Sequence, residues 1–221
     1  MRAKYVTSLI ISDEPVNKPS VSISLTITVK TIDMNDIIQA ILTRRSVRAY
    51  QPRQIGEKDL QEILLAGQYA PTAMGDQLWH FTVVQNAELK EKLQLLCKAS
   101  FKNSDIPSLR ELSSRDDVHV FYHAPTLVIV SADSKAVAPL WDSVLAMENM
   151  LLAASSLGIS SCWVHSPMIV YGTPEGPASL SSIGLNFPEG HVPYAAAVFG
   201  YSVQPLPEAA PRKPDTVTFL K

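Results

Sequence analysis

The sequence predicts a single domain that mixes α-helices with β-strands, and three kinds of pattern predict it. Apolar residues recur at helical spacing in four segments, at 35–42, 57–70, 88–98 and 140–157. Runs rich in β-branched and aromatic residues lie between and after these segments, at 79–84, 126–130, 160–164 and 192–201. Glycine, proline and helix-capping residues stand at several of the boundaries. We therefore treat residues 34–221 as one domain of interspersed helices and strands.

Residues 1–33 differ from the rest of the chain. Five apolar, mostly β-branched residues alternate there with serine, threonine and lysine, at Val21, Ile23, Leu25, Ile27 and Val29. Strict alternation predicts a strand over 21–30 with one buried face. Met34 is a candidate second start, which would make 1–33 an N-terminal extension. If this extension is ordered, we expect it to add a strand to a sheet edge.

Local signals place the ends of the predicted helices. Asn35 and Asp36 are N-cap candidates for the first helix, because their side-chain oxygens can accept bonds from the first backbone N–H groups. Pro71 ends the second helix, and Gly158 provides a C-cap for the fourth. The fourth helix is apolar over most of its circumference, so more than one neighbour must bury it. We expect it to contribute to the core and to a subunit interface.

Three stretches predict little regular structure. Residues 99–124 are polar and weakly patterned, which indicates a surface segment that could flank a site. Residues 171–190 are rich in Gly, Pro and Ser and are expected to hold at most a short helix near 178–183. The tail from Gln204 is rich in proline and therefore extended. Its end, 216–220, is strand-like and is a candidate for addition to another subunit's sheet.

Charge and composition argue against several classes of function. Nineteen Lys and Arg against 21 Asp and Glu give a net charge of −2, so no overall basic field favours nucleic acid. Cys97 and Cys162 show no metal or redox spacing and suggest a reducing interior, with a single disulfide as the less favoured alternative. No apolar run approaches the roughly 18 residues of a membrane span, and the apolar start of the chain is too interrupted for a signal peptide. We expect a soluble, cytoplasmic protein that binds neither nucleic acid nor membrane.

A cluster of cations follows the first helix. Arg44, Arg45 and Arg48 surround Ser46. A guanidinium is a planar, permanently charged fork that suits phosphate, and the serine hydroxyl adds a further hydrogen-bonding group. The cluster could therefore hold a phosphorylated ligand. The alternative interpretation is a solvated cationic helix end, favoured by the helix dipole.

Other chemistry-bearing patterns are missing from the sequence. It has neither a Gly-x-Gly-x-x-Gly motif after a strand nor a Walker loop, which argues against a Rossmann dinucleotide site and an NTPase. The five histidines show no metal-like spacing, so no metal is expected. Ser46 and Cys162 are nucleophiles in principle, but no spacing places a base near either. Arg212 and Lys213 in the tail either serve solubility or meet the first cluster around one phosphate.

Four blocks of the sequence resemble the FMN-dependent nitroreductase family. They are 41–50 (ILTRRSVRAY), 63–81 (ILLAGQYAPTAMGDQLWHF), 151–164 (LLAASSLGISSCWV), and Gly200-Tyr201 followed by Pro211 to Pro214. All occur in the family's order and together span residues 35–221. The resemblance implies a three-layer α+β fold, with helices around a mostly antiparallel central sheet. It also implies an intertwined homodimer that holds two FMN at the subunit interface.

The resemblance further implies roles for individual residues. Arg44, Arg45, Ser46 and Arg48 match positions that contact the flavin phosphate, ribityl chain and ring edge. Five positions match a loop that the partner subunit contributes to the same flavin: Pro71, Thr72, Ala73, Gly75 and Gln77. His165 and Ser166 match positions at the reactive ring face. Arg212, with Lys213, matches the contact of the tail with the phosphate.

The sequence departs from the family pattern at three positions near this site. Gly75 stands where the family commonly has Asn, which removes a side-chain hydrogen bond to the flavin. Leu78 stands where Pro is common, which changes the rigidity of the loop. His165 replaces the more usual Gly or Glu. These departures leave FMN binding as the expectation and the substrate class open.

The implied function is that of an FMN-dependent oxidoreductase with a ping-pong cycle. NADH or NADPH reduces the flavin and leaves, and an acceptor such as a nitroaromatic compound or a quinone then takes the electrons. The cofactor carries the hydride chemistry, and Arg48 would stabilise negative charge on the ring. No side chain is firmly assigned as catalytic, although His165 is a candidate proton donor. The alternatives are dehalogenation or flavin consumption on the same fold, and a flavin-sequestering protein without turnover.

Overall fold

A computed structural model of the protein describes residues 35–220. The helices in this part are α1 (Asp36–Thr43), α2 (Glu57–Gln68), α3 (Ala87–Lys102), α4 (Pro107–Ser114), α5 (Pro139–Ser156), α6 (Ser166–Tyr171) and α7 (Gly176–Ser182). The strands are β1 (Trp79–Val84), β2 (Thr126–Asp133), β3 (Ser160–Trp163) and β4 (His191–Gly200), and a 3₁₀ turn spans Ala73–Gly75. The strand predicted at 21–30, and the extension at 1–33 that contains it, lie outside the described residues.

The four strands form one antiparallel sheet in the order β1-β2-β4-β3. β2 and β4 are central, and almost all of their residues are buried because helices cover both faces of the sheet. The register between them shifts at Val130 and Ser131, as in a β-bulge. The bounds predicted for β1 agree with the structure, and β2 continues three residues beyond its predicted end.

Alternation of side chains along β2 divides the interior into two cores. Leu127 and Ile129 face one core, whereas Val128 and Val130 face the other. The first core also contains Leu93 and Phe101 of α3, Val170 of α6 and Leu180 of α7. The second contains Leu60 and Ile63 of α2 with Met147, Met150 and Leu151 of α5. Helices, sheet and helices therefore form three layers, and the predicted α+β class is confirmed.

The second helix layer is built around α5. A Cβ at Gly67 of α2 would lie 2.9 Å from Cγ of Met150, so only glycine allows the two helices to pack this closely. α5 ends in a Schellman motif, in which Ile159 N donates to Ala154 O at 2.8 Å and Gly158 has a φ of 72°. The predicted C-cap is thus confirmed. The helix has a buried side, but Trp141 and Leu145 stay exposed in the single chain.

The stretch 99–124 is not the surface segment that the sequence predicted. α3 continues to Lys102, α4 occupies Pro107–Ser114, and Phe101 and Phe121 are buried in the first core. Its apolar residues are too irregularly spaced to form a periodic pattern. Their burial follows from tertiary packing, which local patterning does not record.

Two further stretches lie near the C-terminus. Within 171–190, the short helix expected near 178–183 is α7, at Gly176–Ser182. The sequence did not predict α6, which ends where that stretch begins and has only six residues, too few for a periodic signal. Pro167 stands in its first turn, where a missing N–H leaves no bond unmade. The strand-like end at 216–220 is exposed and has no regular structure in the single chain. Its addition to another subunit's sheet stays a prediction.

The structure bears on cysteine pairing, metals and membranes as well. Both cysteines are buried and carry free thiols. Within residues 35–220, no cluster of His, Cys, Asp and Glu is arranged to hold a metal ion. None of the helices in that same range is both long and apolar enough to cross a bilayer.

Candidate functional site

The segment that follows α1 lies along the β3 edge of the sheet. Val47 is buried, and its N–H donates to the carbonyl of Ser161 at 3.0 Å. Ser46 pairs with Ser161 as a parallel bridge. Because the segment and β3 run in the same direction, Arg44 lies towards the start of β3 and Arg48 towards its end.

Three of the predicted site residues converge on the thiol of Cys162 in β3. Burial raises the pKa of this thiol, while the positive charge of Arg48, a hydrogen bond with Ser46 and the positive charge of Arg44 oppose the rise. All three residues are therefore within electrostatic reach of one sulfur atom. We call Arg44, Ser46 and Arg48 the arginine edge. The burial of the thiol and its raised pKa argue against a nucleophilic role for Cys162.

A cavity of about 310 Å³ opens beside the start of β3. Arg44 and Arg45 line it, together with four serines (Ser155, Ser160, Ser161 and Ser202) and residues 204–206 of the tail. Nε of Arg44 lies 4.0 Å from Oε1 of Glu148, the outer limit of an ion pair. Among residues 35–220, most of the hydrogen-bonding capacity of the Arg44 guanidinium therefore remains available to an anion in the cavity.

Within the described chain, Arg45, unlike Arg44, makes several side-chain hydrogen bonds to backbone carbonyls. Its Nε donates to the carbonyl of Pro207 at 3.1 Å, and its Nη1 donates to the carbonyls of Leu42 and Arg44 at 2.7 Å each. These bonds join the end of α1 to the tail. The hydrogens on Nη2 of Arg45 take no part in these bonds.

Arg48 is exposed and is held by Tyr122. Its Cζ lies 5.9 Å from the centroid of the Tyr122 ring. A hydrogen bond between the two side chains is the main cause that raises the pKa of Arg48 above its ordinary value. The contact of its Nη1 with the carbonyl of Ser46 is long, at 3.5 Å. Tyr122 is thus an aromatic side chain in contact with the Arg48 guanidinium.

The loop at 71–77 is organised by its own backbone and by α5. Met74, Gly75 and Gln77 have φ values of 58°, 74° and 51°. The hydroxyl of Thr72 accepts from Gln77 N at 3.2 Å, and Ala73 N donates to Oδ1 of Asp142 at 3.1 Å. Within residues 35–220, the hydrogen bonds and ion pairs do not join this loop to the arginine edge. Pro71, at its start, is exposed.

His165 and Ser166 follow the end of β3 to which Arg48 is adjacent. Val164 N donates to Ala196 O at 2.9 Å, which fixes the strand just before them. His165 is exposed, and its carbonyl accepts from Met168 N at 3.2 Å in the first turn of α6. The imidazole makes no capping bond to the helix and is open to solvent.

Among the described residues, the predicted basic pair of the tail is not joined to the arginine edge by a hydrogen bond or ion pair. Arg212 and Lys213 are exposed, and Nη1 of Arg212 donates to the nearby carbonyl of Ala210 at 3.2 Å. The part of the tail that does reach the site is 204–207, through the cavity wall and the bond to Arg45.

Tyr122 is the site residue that sequence reasoning missed. It lies in the stretch 99–124, which was expected only to flank a site. Its place depends on left-handed backbone at two successive residues, Tyr122 with φ 54° and His123 with φ 55°. Such a conformation is uncommon for non-glycine residues, and no motif in the sequence signals it.

Comparison with known proteins gives consistent matches. The model of the Nitroreductase family matches residues 41–201. The crystal structure of a nitroreductase with bound FMN from Bacteroides fragilis is 41% identical, with a TM-score of 0.77 over 85% of this chain and 100% of its own. A nitroreductase with bound FMN from Desulfitobacterium hafniense is 26% identical, with a TM-score of 0.76 and the same coverage.

A sequence relative from Archaeoglobus fulgidus carries the name "Putative NADH dehydrogenase/NAD(P)H nitroreductase". It is 34% identical over an alignment of 173 residues, and the match covers 76% of this chain and 86% of that protein. The family model covers most of the described domain, and the relatives are matched over nearly their whole length. The chain therefore belongs to the nitroreductase family.

Proposed function

We propose that the protein is an FMN-dependent oxidoreductase that takes electrons from NADH or NADPH and passes them to a small acceptor, such as a nitroaromatic compound or a quinone. The observation that carries the proposal is the arginine edge, where Arg44, Ser46 and Arg48 converge beside β3. Family membership supports it, and so do the nitroreductases from Bacteroides fragilis and Desulfitobacterium hafniense, which were solved with bound FMN.

The arginine edge fits the polar groups of FMN. A phosphate requires permanent cationic donors, and Arg44 offers them beside the cavity at the start of β3. Arg48 offers a second cation towards the other end of the same strand. A hydrogen bond to a charged group contributes about 1.5–3 kcal/mol, whereas a micromolar to nanomolar cofactor requires about 8–12 kcal/mol. Several such bonds, with burial of the ring, would account for tight binding.

Bound FMN would supply the hydride chemistry, in a ping-pong cycle in which the nicotinamide leaves before the acceptor enters. The residues of this chain bind and orient. Arg44 and Arg212, with Lys213, hold the phosphate, and Arg48 stabilises negative charge at the ring edge. His165 and Ser166 form the wall on which an acceptor would lie, where His165 acts by shape and hydrogen bonding rather than as an acid.

We also propose that the protein works as a homodimer. Large apolar side chains of α1 and α5 are exposed in the single chain: Ile38, Ile41, Leu42, Trp141 and Leu145. Removal of apolar surface from water contributes about 25 cal/mol per Å², so a second copy that covers these helices would be stabilising. The predicted contribution of α5 to a subunit interface agrees with this exposure.

The same surface supports the proposed role of the loop at 71–77. Its attachment point, Asp142, directly follows the exposed Trp141 in α5. A partner that covers this end of α5 would therefore meet the loop. We propose that Pro71, Thr72, Ala73, Gly75 and Gln77 serve the flavin of the partner subunit.

Titration of the apoprotein with FMN, followed by flavin fluorescence, tests the cofactor assignment. Arg44→Ala and Arg212→Ala should each raise the dissociation constant about 10- to 100-fold, the equivalent of about 1.5–3 kcal/mol per charged contact. Arg110→Ala is a matched control, because Arg110 is exposed on α4 and bonds to Ser104 O. Full flavin retention by both test variants would contradict the phosphate assignment.

A further inference from the structure

We propose that Tyr122 is a positioning residue that orients the guanidinium of Arg48 towards the flavin ring. The inference rests on the proposed function, since it gives Tyr122 a role towards bound FMN. Tyr122 acts through Arg48 and has no need to touch the cofactor itself. It is carried by the geometry of the segment 118–125, which places the half-buried side chain of Tyr122 between the first core and Arg48.

The backbone at Tyr122 has an unusual conformation. Tyr122 and His123 both have left-handed φ values, 54° and 55°, which L-residues other than glycine seldom adopt and rarely in succession. The residue before them, Phe121, is fully buried in the first core. The left-handed pair reverses the chain, so that the half-buried side chain of Tyr122 lies at the edge of this core and reaches Arg48. Strain of this kind persists only where the surroundings hold it in place.

Two side chains of α3 fix the backbone on either side of Tyr122. Gln94 is buried, and its Oε1 accepts from Val120 N at 2.8 Å. One turn earlier, Nζ of Lys90 donates to the carbonyl of Ala124 at 2.8 Å and also to that of Pro125. The segment is thus attached to one helix just before and just after the left-handed pair.

His119 adds a third attachment. Its Nδ1 accepts from Phe121 N at 3.1 Å, and its Nε2 lies 3.3 Å from Oε2 of Glu91 on α3. Its ring also packs against the ring of His123, with centroids 4.1 Å apart. With three attachments to α3 and one aromatic anchor in the core, the segment leaves Tyr122 little conformational freedom.

Arg48, in contrast, has a long flexible side chain that is exposed to solvent. Its bond to Ser46 O is long, at 3.5 Å, whereas the Tyr122 ring and hydroxyl both interact with its guanidinium. A cation over an aromatic face is attracted to it, and an arginine oriented before the ligand arrives loses less freedom on binding. Tyr122 therefore prepares the arginine edge for the ring of the flavin.

Two substitutions separate the parts of this contact. Tyr122→Phe keeps the ring and removes the hydroxyl. Tyr122→Asn removes the ring but keeps a residue that tolerates left-handed backbone, so the turn is preserved. We would titrate the apoproteins with FMN and with riboflavin, which lacks the phosphate, and measure the midpoint potential of the bound flavin. Thermal unfolding of each apoprotein reports on folding.

We expect Tyr122→Asn to weaken FMN and riboflavin binding by a similar factor, about 3- to 10-fold, with a smaller effect for Tyr122→Phe. The midpoint potential should fall in the order wild type, Tyr122→Phe, Tyr122→Asn, as the cation near the ring becomes less well placed. In an Arg48→Ala background, Tyr122→Asn should have no further effect, because a positioning residue acts only through its partner. Arg44→Ala, in contrast, should affect FMN much more than riboflavin.

The controls distinguish two kinds of failure. If the wild type binds no FMN, or Arg48→Ala binds it as the wild type does, the proposed function of the arginine edge is wrong and this inference falls with it. If Arg48→Ala weakens binding but Tyr122→Asn does not, or the two effects add, the proposed function stands and the positioning role of Tyr122 is overturned. A loss of affinity matched by a loss of apoprotein stability, without a change in potential, would also overturn it.

Discussion

Nε of Arg45 donates a hydrogen bond of 3.1 Å to the carbonyl oxygen of Pro207, although 162 residues separate the two in sequence. With its bonds to Leu42 and Arg44, this contact makes Arg45 the connection between the end of α1 and the tail. The resemblance places Arg45 among the flavin contacts. Its hydrogen bonds suggest that it acts on the site mainly by holding the tail against the cavity.

The first prediction concerns this connection. Arg45→Ala should release residues 204–207, because the half-buried guanidinium contributes about 1 kcal/mol after allowance for solvent. Cleavage by a glutamate-specific protease after Glu208, which is exposed and directly follows this segment, should become about fivefold faster. Arg110→Ala serves again as the control. Equal cleavage rates in wild type and Arg45→Ala would show that the bond to Pro207 does not hold the tail.

The second prediction concerns the proposed dimer. Trp141 is 67% exposed in the single chain, and Trp141→Lys would place a charge in the proposed interface. We expect the dimer dissociation constant to rise at least about tenfold, since a large buried apolar side chain contributes about 1.5–3 kcal/mol. Molar mass measured by light scattering over a dilution series reports this. Leu95→Lys is the matched control, because Leu95 is 60% exposed on α3, away from the proposed interface. A monomeric wild type would contradict the proposal directly.

The third prediction concerns pH and stability. Burial lowers the pKa of His119 below its ordinary value of 6.5, the charge of His123 and that of Lys90 act in the same direction, and Glu91 opposes them. Because the pKa of His119 is lower in the folded chain, the unfolded chain binds more protons at this residue when the pH falls below 6.5. Its contribution to stability is therefore present above pH 6.5 and is lost as the pH falls towards the folded pKa.

Urea unfolding at about pH 7.5 and about pH 5 measures this effect. His119→Asn keeps an oxygen acceptor near the position of Nδ1, but the new side chain does not titrate. The free energy of unfolding of this variant should therefore change less between the two pH values than that of the wild type. The exposed His165, changed to Asn, is the control. An unchanged pH dependence in His119→Asn would remove His119 as the cause.

The fourth prediction concerns the packing of α2 on α5. A Cβ at Gly67 would lie 2.9 Å from Cγ of Met150 and 3.1 Å from Cε1 of Phe81. Overpacking costs about 1–3 kcal/mol, against a helix gain of about 0.5–1 kcal/mol for alanine over glycine. Gly67→Ala should therefore lower the free energy of unfolding by about 1 kcal/mol. In a Met150→Val background the loss should be smaller, and strict additivity would argue against the steric account.

The sequence predicted those elements that are marked by local chemistry. β1 follows from a run of β-branched and aromatic residues, and the end of α5 from Gly158, which is in the left-handed region as a C-cap requires. α6 was missed because six residues hold too few turns to show a period. α4 was missed because only Leu109 and Leu112 of its eight residues are apolar and none of the eight is buried. Phe121 was placed on the surface because its burial depends on packing against distant elements.

The candidate site shows the same division. Arg44, Ser46 and Arg48 lie close together in sequence, so a motif and a resemblance were enough to find them. Their convergence on Cys162 needed the parallel pairing with β3, and the contact between Arg48 and Tyr122 needed the left-handed turn at Tyr122. Local sequence does not encode either relationship. Both arise only when distant segments meet.

The most direct test of the proposed function is an anaerobic titration of the FMN-loaded protein with NADH and, separately, with NADPH, followed by addition of a nitroaromatic compound or a quinone. At least one nicotinamide should bleach the flavin absorbance, and the acceptor should restore it without further nicotinamide, as a ping-pong oxidoreductase requires. A protein that holds FMN but is bleached by neither nicotinamide, or that is bleached and then not reoxidised by any acceptor, would contradict the account.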